Sequence, residues 1–344
     1  MKHSNISIFV PHVGCPHLCA FCDQRTISGT QKAPTPQQVR DICEKALAEI
    51  SSPGNTEIAF FGGSFTAIDR KYMVSLLEAA HDLVGDDGFA GIRLSTRPDY
   101  IDDDILSLLK EYGVTSIELG AQSLDDNVLA ANERGHTAQD IVDASQLIKS
   151  YGFELGLQLM VGLYKTTEDT EFCNMRKVIE LAPSTVRIYP VVILKGTVLA
   201  DLLASGEYVP MSMDSVIRIS SVMLESFENS GIRVIKCGLH ASEFVERDMV
   251  GGFYHPAFRE MCESEIFKNK FISLLEESGI TLNDKSSKEL TAVFGVSPKC
   301  ISKAYGHKKS NASFFKENGV NIKIKENREL HGYMCELKEV SMCT

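Results

Sequence analysis

Ile6-Ser7-Ile8-Phe9-Val10 is a short β-rich run, and Cys15-Pro16-His17-Leu18-Cys19-Ala20-Phe21-Cys22 follows it after four residues. The rest of the first two-thirds of the chain repeats the first half of that arrangement. Further strands are predicted at Glu57–Phe61, Gly91–Thr96, Ser116–Leu119, Glu154–Met160 and Thr185–Val192, separated by longer amphipathic segments. Those segments carry helix start signals. Thr35 before Pro36 places an N-cap ahead of a proline at the first helical position. Asp102-Asp103-Asp104 puts negative charge where the helix dipole favours it, and Thr137 with Asp140 reads as a capping box. The returns to strand pass through Gly113 and Gly152. Strand and helix in regular alternation give parallel strands with right-handed crossovers. The fold class expected is therefore α/β, a partial (β/α)6 TIM-type barrel up to about residue 195, with a helix at Asp214–Ser230 and a last strand at Arg233–Cys237 behind it.

In such a barrel the segment after a strand lies on the C-terminal face, where active sites are built. Three thiolates in the spacing CxxxCxxC suit three irons of a [4Fe–4S] cluster and leave the fourth iron open to an outside ligand. The metal-ligand candidates are Cys15, Cys19 and Cys22. A Zn²⁺ site that adds His12 or His17 is the alternative, but structural zinc prefers a second CxxC pair and the sequence has none. Seven further cysteines are scattered singly and read as small apolar residues or free thiols.

The 344 residues, 44% hydrophobic and 24% charged, have ordinary globular composition. No apolar run approaches the roughly 20 residues of a membrane span, and the five before Pro11 are too few for a signal-peptide core, so a cytoplasmic protein is expected. The net charge of −11 is uneven: −13 over residues 1–250 and +2 over residues 251–344. Between Lys299 and Lys325 there are seven lysines and one acid, Glu317, a pattern that suits an anionic partner.

With these residues in view, the chain resembles the radical S-adenosylmethionine (SAM) superfamily, and within it the radical SAM half of the Elongator catalytic subunit (Elp3-like proteins). The resemblance covers about residues 5 to 240. It rests on the cysteines, Phe61-Gly62-Gly63-Ser64-Phe65-Thr66, Thr96-Arg97-Pro98-Asp99-Tyr100, Ile117-Glu118-Leu119-Gly120-Ala121-Gln122-Ser123, Asn132-Glu133-Arg134-Gly135-His136 and Arg187-Ile188-Tyr189-Pro190. It implies a [4Fe–4S] cluster and SAM as cofactors, reductive cleavage of SAM to a 5′-deoxyadenosyl radical, and a reductant protein of flavodoxin or ferredoxin type. It also implies SAM contacts. Phe21 would flank the adenine, Gly62, Gly63 and Ser64 would meet the amino group, and Gln122 and Gln158 the ribose. Arg134 would pair with the carboxylate through its planar fork. Ser95 stands where related enzymes often carry an acid, and Tyr164 where the usual loop has proline.

The domains expected are a radical SAM core over 1–240 and an α+β accessory module over 251–344, beginning where composition shifts at Gly251-Gly252. In the module, helical stretches are expected near Phe258–Ser278 and Lys288–Phe294, and Val320–Lys325 with Tyr333–Val340 as a hairpin. No glycine-rich pyrophosphate turn follows Gly251, so no acetyl-CoA is expected. RNA, transfer RNA in particular, is the first substrate class to consider, with contacts through Lys299–Lys325. The alternatives are a small molecule such as a tetrapyrrole, or a non-catalytic iron–sulfur protein that binds RNA or senses redox state. No catalytic side chain is singled out by sequence.

Overall fold

The computed structural model describes residues 4–10, 15, 19–23, 32–239, 242–282 and 290–342. The strands fall where alternation put them: β1 (Ser4–Val10), β2 (Thr56–Gly62), β3 (Gly91–Thr96), β4 (Val114–Gln122), β5 (Glu154–Val161), β6 (Thr185–Pro190), a short β7 (Val192–Leu194), and β8 (Arg233–Cys237). All but β7 form one parallel sheet in the order β1-β2-β3-β4-β5-β6-β8. The crossovers carry α1 (Pro36–Glu49), α2 (Arg70–His81), α3 (Asp103–Glu111), α4 (Asp126–Ala131), α5 (Ala138–Ser150), α6 (Glu168–Leu181), α7 (Val198–Ser205) and α8 (Met213–Asn229). The caps read from sequence form. Thr35 and Thr137 each complete a capping box, and the Asp102 side chain accepts from the Ile105 amide.

The sheet is curled into a half-barrel. Neighbouring strands lie ~4.8 Å apart, so in a flat sheet β2 and β6 would be roughly 19 Å apart. Yet the Arg187 guanidinium on β6 sits 5.1 Å from the ring centroid of Phe61 on β2. What fills the inside of the curl is charge. Arg93, only 1% exposed, pairs with Glu57 at 2.7 Å, Glu118 at 3.3 Å and Glu154 at 3.3 Å. Glu118, also 1% exposed, accepts two bonds from Arg187, at 2.5 and 2.9 Å. Gly156 makes room for it, since a β-carbon there would lie 2.8 Å from Glu118 Cγ. Burial pushes the Glu57 and Glu118 carboxyls up, but the arginines beside them outweigh it and hold both below the ordinary carboxylate range.

Beyond β8 come α9 (Glu243–Asp248), β9 (Met249–Gly252), α10 (Phe258–Glu277), β10 (Leu290–Val296), α11 (Ile301–Tyr305), α12 (Ser310–Glu317), β11 (Val320–Glu326) and β12 (Cys335–Met342). Gly251 and Gly252 lie in β9, antiparallel to β7. Helix α10 packs on α8, tied by Arg259–Glu228 and Lys270–Glu225, and Phe258, Phe271 and Phe294 share one apolar core with the barrel. Two expectations are corrected. Residues 290–296 form a strand, not part of a helix, and β11 and β12 pair with it from opposite sides instead of with each other. The reason is burial on both faces: Ala292, Val293, Phe294 and Val296 are all buried, and a short continuous apolar run has no periodicity to separate strand from helix.

The loop after β5 is braced by Glu171 of α6, whose buried carboxylate accepts from the Gly162 amide at 2.8 Å and the Thr166 hydroxyl at 3.1 Å. Burial pushes this carboxyl up to about 7, more than the two hydrogen bonds pull it down. Two predictions follow from the buried charges. Arg93→Met leaves three carboxylates without their shared cation and should cost about 3–5 kcal/mol of stability in denaturant unfolding. For Glu171 the folded state holds the proton longer than the unfolded chain. Stability should therefore fall as pH rises from about 4.5 to about 7, a slope worth about 3 kcal/mol that Glu171→Gln removes.

Candidate functional site

At the C-terminal ends of the strands lies a cavity of about 590 Å³. The Cys15, Cys19 and Cys22 side chains line it. Their segment is laced to the rest of the barrel at its middle. The Ala20 amide donates to the Asn132 carbonyl at 3.1 Å and the Ala20 carbonyl accepts from the Leu199 amide at 2.9 Å, while the Cys22 amide closes a turn onto Cys19. The Asn132 side chain in turn donates to the Val128 and Tyr164 carbonyls, and so ties α4 to the loop after β5. Phe21 packs among Val128, Leu163, Val191 and Leu199.

Each remaining candidate from sequence also lines this cavity: Gly62, Gly63, Ser64, Ser95, Gln122, Arg134 and Gln158. Gly62 has φ of 117°, a region that side chains avoid, and a β-carbon there would meet the Val10 carbonyl at 3.0 Å. The turn is closed by the Gly63 amide on that same carbonyl. Ser64 Oγ lies 4.0 Å from Cys15 Sγ. Gln122 ends β4 after a register shift, with φ of 66° and its Oε1 buried without a partner in the protein. Ser95 Oγ accepts from Gln158 Nε2 at 3.0 Å, and the same amide donates to Glu118, so the charge layer underneath positions Gln158.

Arg134 is 6% exposed. Its Nη1 donates to Cys19 Sγ at 2.9 Å and its Nη2 to the Gly120 carbonyl, its guanidinium lies over Phe21, and its Nε has no partner. Arg97, locked to Asp99 at 2.9 and 2.8 Å, lines the cavity and is within electrostatic reach of Cys15 and Cys19. Two buried arginines thus stand beside the cysteines, Arg134 in direct contact with Cys19. His136 sits next to them with both ring nitrogens unpartnered. Burial, then the Arg134 and Arg97 charges, push it down to about 4, so it is neutral at ordinary pH. Three thiols, a glycine turn and an orphaned Gln122 oxygen on one cavity are a donor set whose chemistry suits a cluster and its ligand, although among the described residues the thiols are not drawn together into a metal cage. His12 and His17, needed for a zinc site, lie outside the described residues.

Sequence reasoning did not name Phe9, Phe61 and Arg187 as site residues, nor the α9 residues Glu243, Phe244 and Val245, all of which line the cavity. The available signal was charge inside strands that should be apolar: Glu57, Arg93, Glu118 and Arg187 mark one interior face.

The family model described as Radical SAM superfamily matches residues 9–175, and one described as Radical_SAM C-terminal domain matches residues 183–268, as far as the middle of α10. The "tRNA uridine(34) acetyltransferase" of Dehalococcoides mccartyi is 23% identical over 241 residues, 60% of this chain and 52% of that protein. Human "Elongator complex protein 3" is 26% identical over 262 residues, 62% of this chain and 47% of that protein. The chain thus spans about half the length of the curated relatives it matches. Among solved structures, the archaeal Methanocaldococcus infernus Elp3 with an N-terminal deletion superposes with a TM-score of 0.61 at 19% identity, over 81% of this chain and 64% of that one, a likeness of fold. The chain belongs to the radical SAM superfamily, enzymes that use a [4Fe–4S] cluster and SAM.

Proposed function

We propose that the cavity is where this chain binds a [4Fe–4S] cluster and cleaves SAM, and that the substrate is a nucleoside of RNA. The observation that carries the first half is the convergence of three cysteines, a glycine turn, Gln122, Gln158 and Arg134 on one cavity. Cys15, Cys19 and Cys22 would hold the cluster, with Arg134 hydrogen-bonded to the Cys19 sulfur. Bound there, the cluster supplies one electron that splits SAM into methionine and a 5′-deoxyadenosyl radical. The SAM amino group would meet the carbonyls exposed by the Gly62-Gly63 turn, its carboxylate the free Nε of Arg134, and its ribose Gln122 and Gln158. Phe21 would flank the adenine. Ser95 reaches the ribose only through Gln158, to which it is bonded. The low-dielectric walls would keep water from the radical. A small reductant protein of flavodoxin or ferredoxin type would deliver the electron.

The RNA half is supported by the curated relatives and by charge. Lys299, Lys308, Lys309, Lys316, Lys323 and Lys325 make no ion pair among the described residues, whereas Lys303 is engaged by Glu263. We assign these lysines to the accessory module of residues 251–344, with residues 1–240 as the catalytic barrel. Lysines that neutralise phosphates make binding steeply salt-dependent. A tetrapyrrole is disfavoured, because Arg97 and Arg187 are matched by Asp99 and Glu118, and Arg134 is taken up by Cys19, Gly120 and, in this reading, SAM.

Protein reconstituted with iron and sulfide without oxygen, then reduced, should give 5′-deoxyadenosine on adding SAM and a SAM-dependent change in its electron paramagnetic resonance spectrum. Cys19→Ala should lose both. A good cluster with no response to SAM would sink the first half of the reading. For the second half, RNA retained at low salt should be released as salt rises, and Lys308→Ala with Lys309→Ala should shift that release to lower salt. Failure to retain RNA at any ionic strength would overturn it.

A further inference from the structure

Resting on that reading, we propose that Phe9 and Phe61 form a stacking wall that receives the base of the substrate nucleotide. The two residues are register partners on β1 and β2, at the edge of the sheet, and their rings lie 6.4 Å apart on the inner face. Both line the cavity and both are only half buried, although their chain neighbours Ile8, Val10 and Phe60 are fully enclosed. An apolar wall left open inside a barrel is surface that a ligand covers.

The chemistry of the wall selects what covers it. Arg187 lies flat on Phe61, but its charge is matched by two bonds to Glu118. Arg97 is matched by Asp99, and Arg134 is held by Cys19 and Gly120. Among the described residues no unmatched cation lies on the two rings, so the group that enters should be flat, conjugated and uncharged. An unstacked nucleobase is such a group, and aromatic faces accept one without regard to its sequence identity. Phosphates of the same strand stay outside, on the unpaired lysines. The wall and the cysteines bound one cavity, so a base stacked on the rings shares it with the SAM we assign to the Gly62-Gly63 turn and Arg134.

The test compares binding of two labelled single-stranded RNAs of equal length, one complete and one abasic throughout, to reconstituted protein with SAM present. The complete strand should bind roughly 5- to 150-fold more tightly, the worth of one aromatic–base stack. Phe61→Ala should abolish most of that preference, and Phe61→Trp should restore it. The iron–sulfur absorbance of each variant reports that it is folded. The chain has no tryptophan, so Phe61→Trp also places a single fluorophore in the wall. Its emission should be quenched by nucleoside monophosphates and not by ribose 5-phosphate. Equal binding of both strands by the wild type, or an undiminished preference in Phe61→Ala, would overturn the stacking wall while leaving the RNA reading intact. Binding of neither strand would overturn both.

Discussion

The fold depends on one carboxylate that two arginines share. Glu118 stands on the middle strand of the half-barrel, out of water, between Arg93 from one side and Arg187 from the other. Alone, an ionised carboxylate at that depth would be untenable; a buried ion survives only when paired and hydrogen-bonded. The pairing draws β2, β3, β4, β5 and β6 towards one centre through Glu57, Arg93, Glu118, Glu154 and Arg187. An all-aliphatic interior would fill the same space with no preferred direction. Directional bonds across the curl fix which strands face each other.

That layer also supports the cavity from below. Gln158 bonds to Glu118 and to Ser95, and Arg187 bonds to Glu118 and lies on Phe61, so groups on two sides of the cavity take their orientation from one buried acid. The cysteine segment is supported differently, through its main chain. Ala20 is held by backbone bonds to Asn132 and to Leu199, and Asn132 is held by its own side chain to the loop that Glu171 braces. The three-cysteine segment therefore rests on a chain of contacts reaching into α6.

Much of this was legible in the sequence, and the reasons are local. Thr35 before Pro36, and Thr137 with Asp140, announce helices because capping is decided within four residues. Cys15, Cys19, Cys22, the Gly62-Gly63 turn, Gln122 and Arg134 follow strands or short helices, and parallel topology brings such segments to one end. What was not legible depends on distant partners. A partial barrel was expected, but the contact of Arg187 with Phe61 joins residues 126 positions apart, and nothing near either residue names the other as its partner. Leu290–Val296 reads as helix or strand equally well until both its faces are known to be covered.

The glycine at position 156 shows what such an interior permits. Its missing side chain is the space that Glu118 occupies, and a larger residue there would collide with the acid. Size and charge at the centre of this barrel are therefore one variable, distributed over several strands. Changing these positions one at a time leaves a buried charge or a clash behind in each case, and each change is therefore destabilising. Exchanging Gly156, Glu118 and the two arginines together for a packed apolar set is the change that the stability of the barrel could tolerate, at the loss of the bond that orients Gln158.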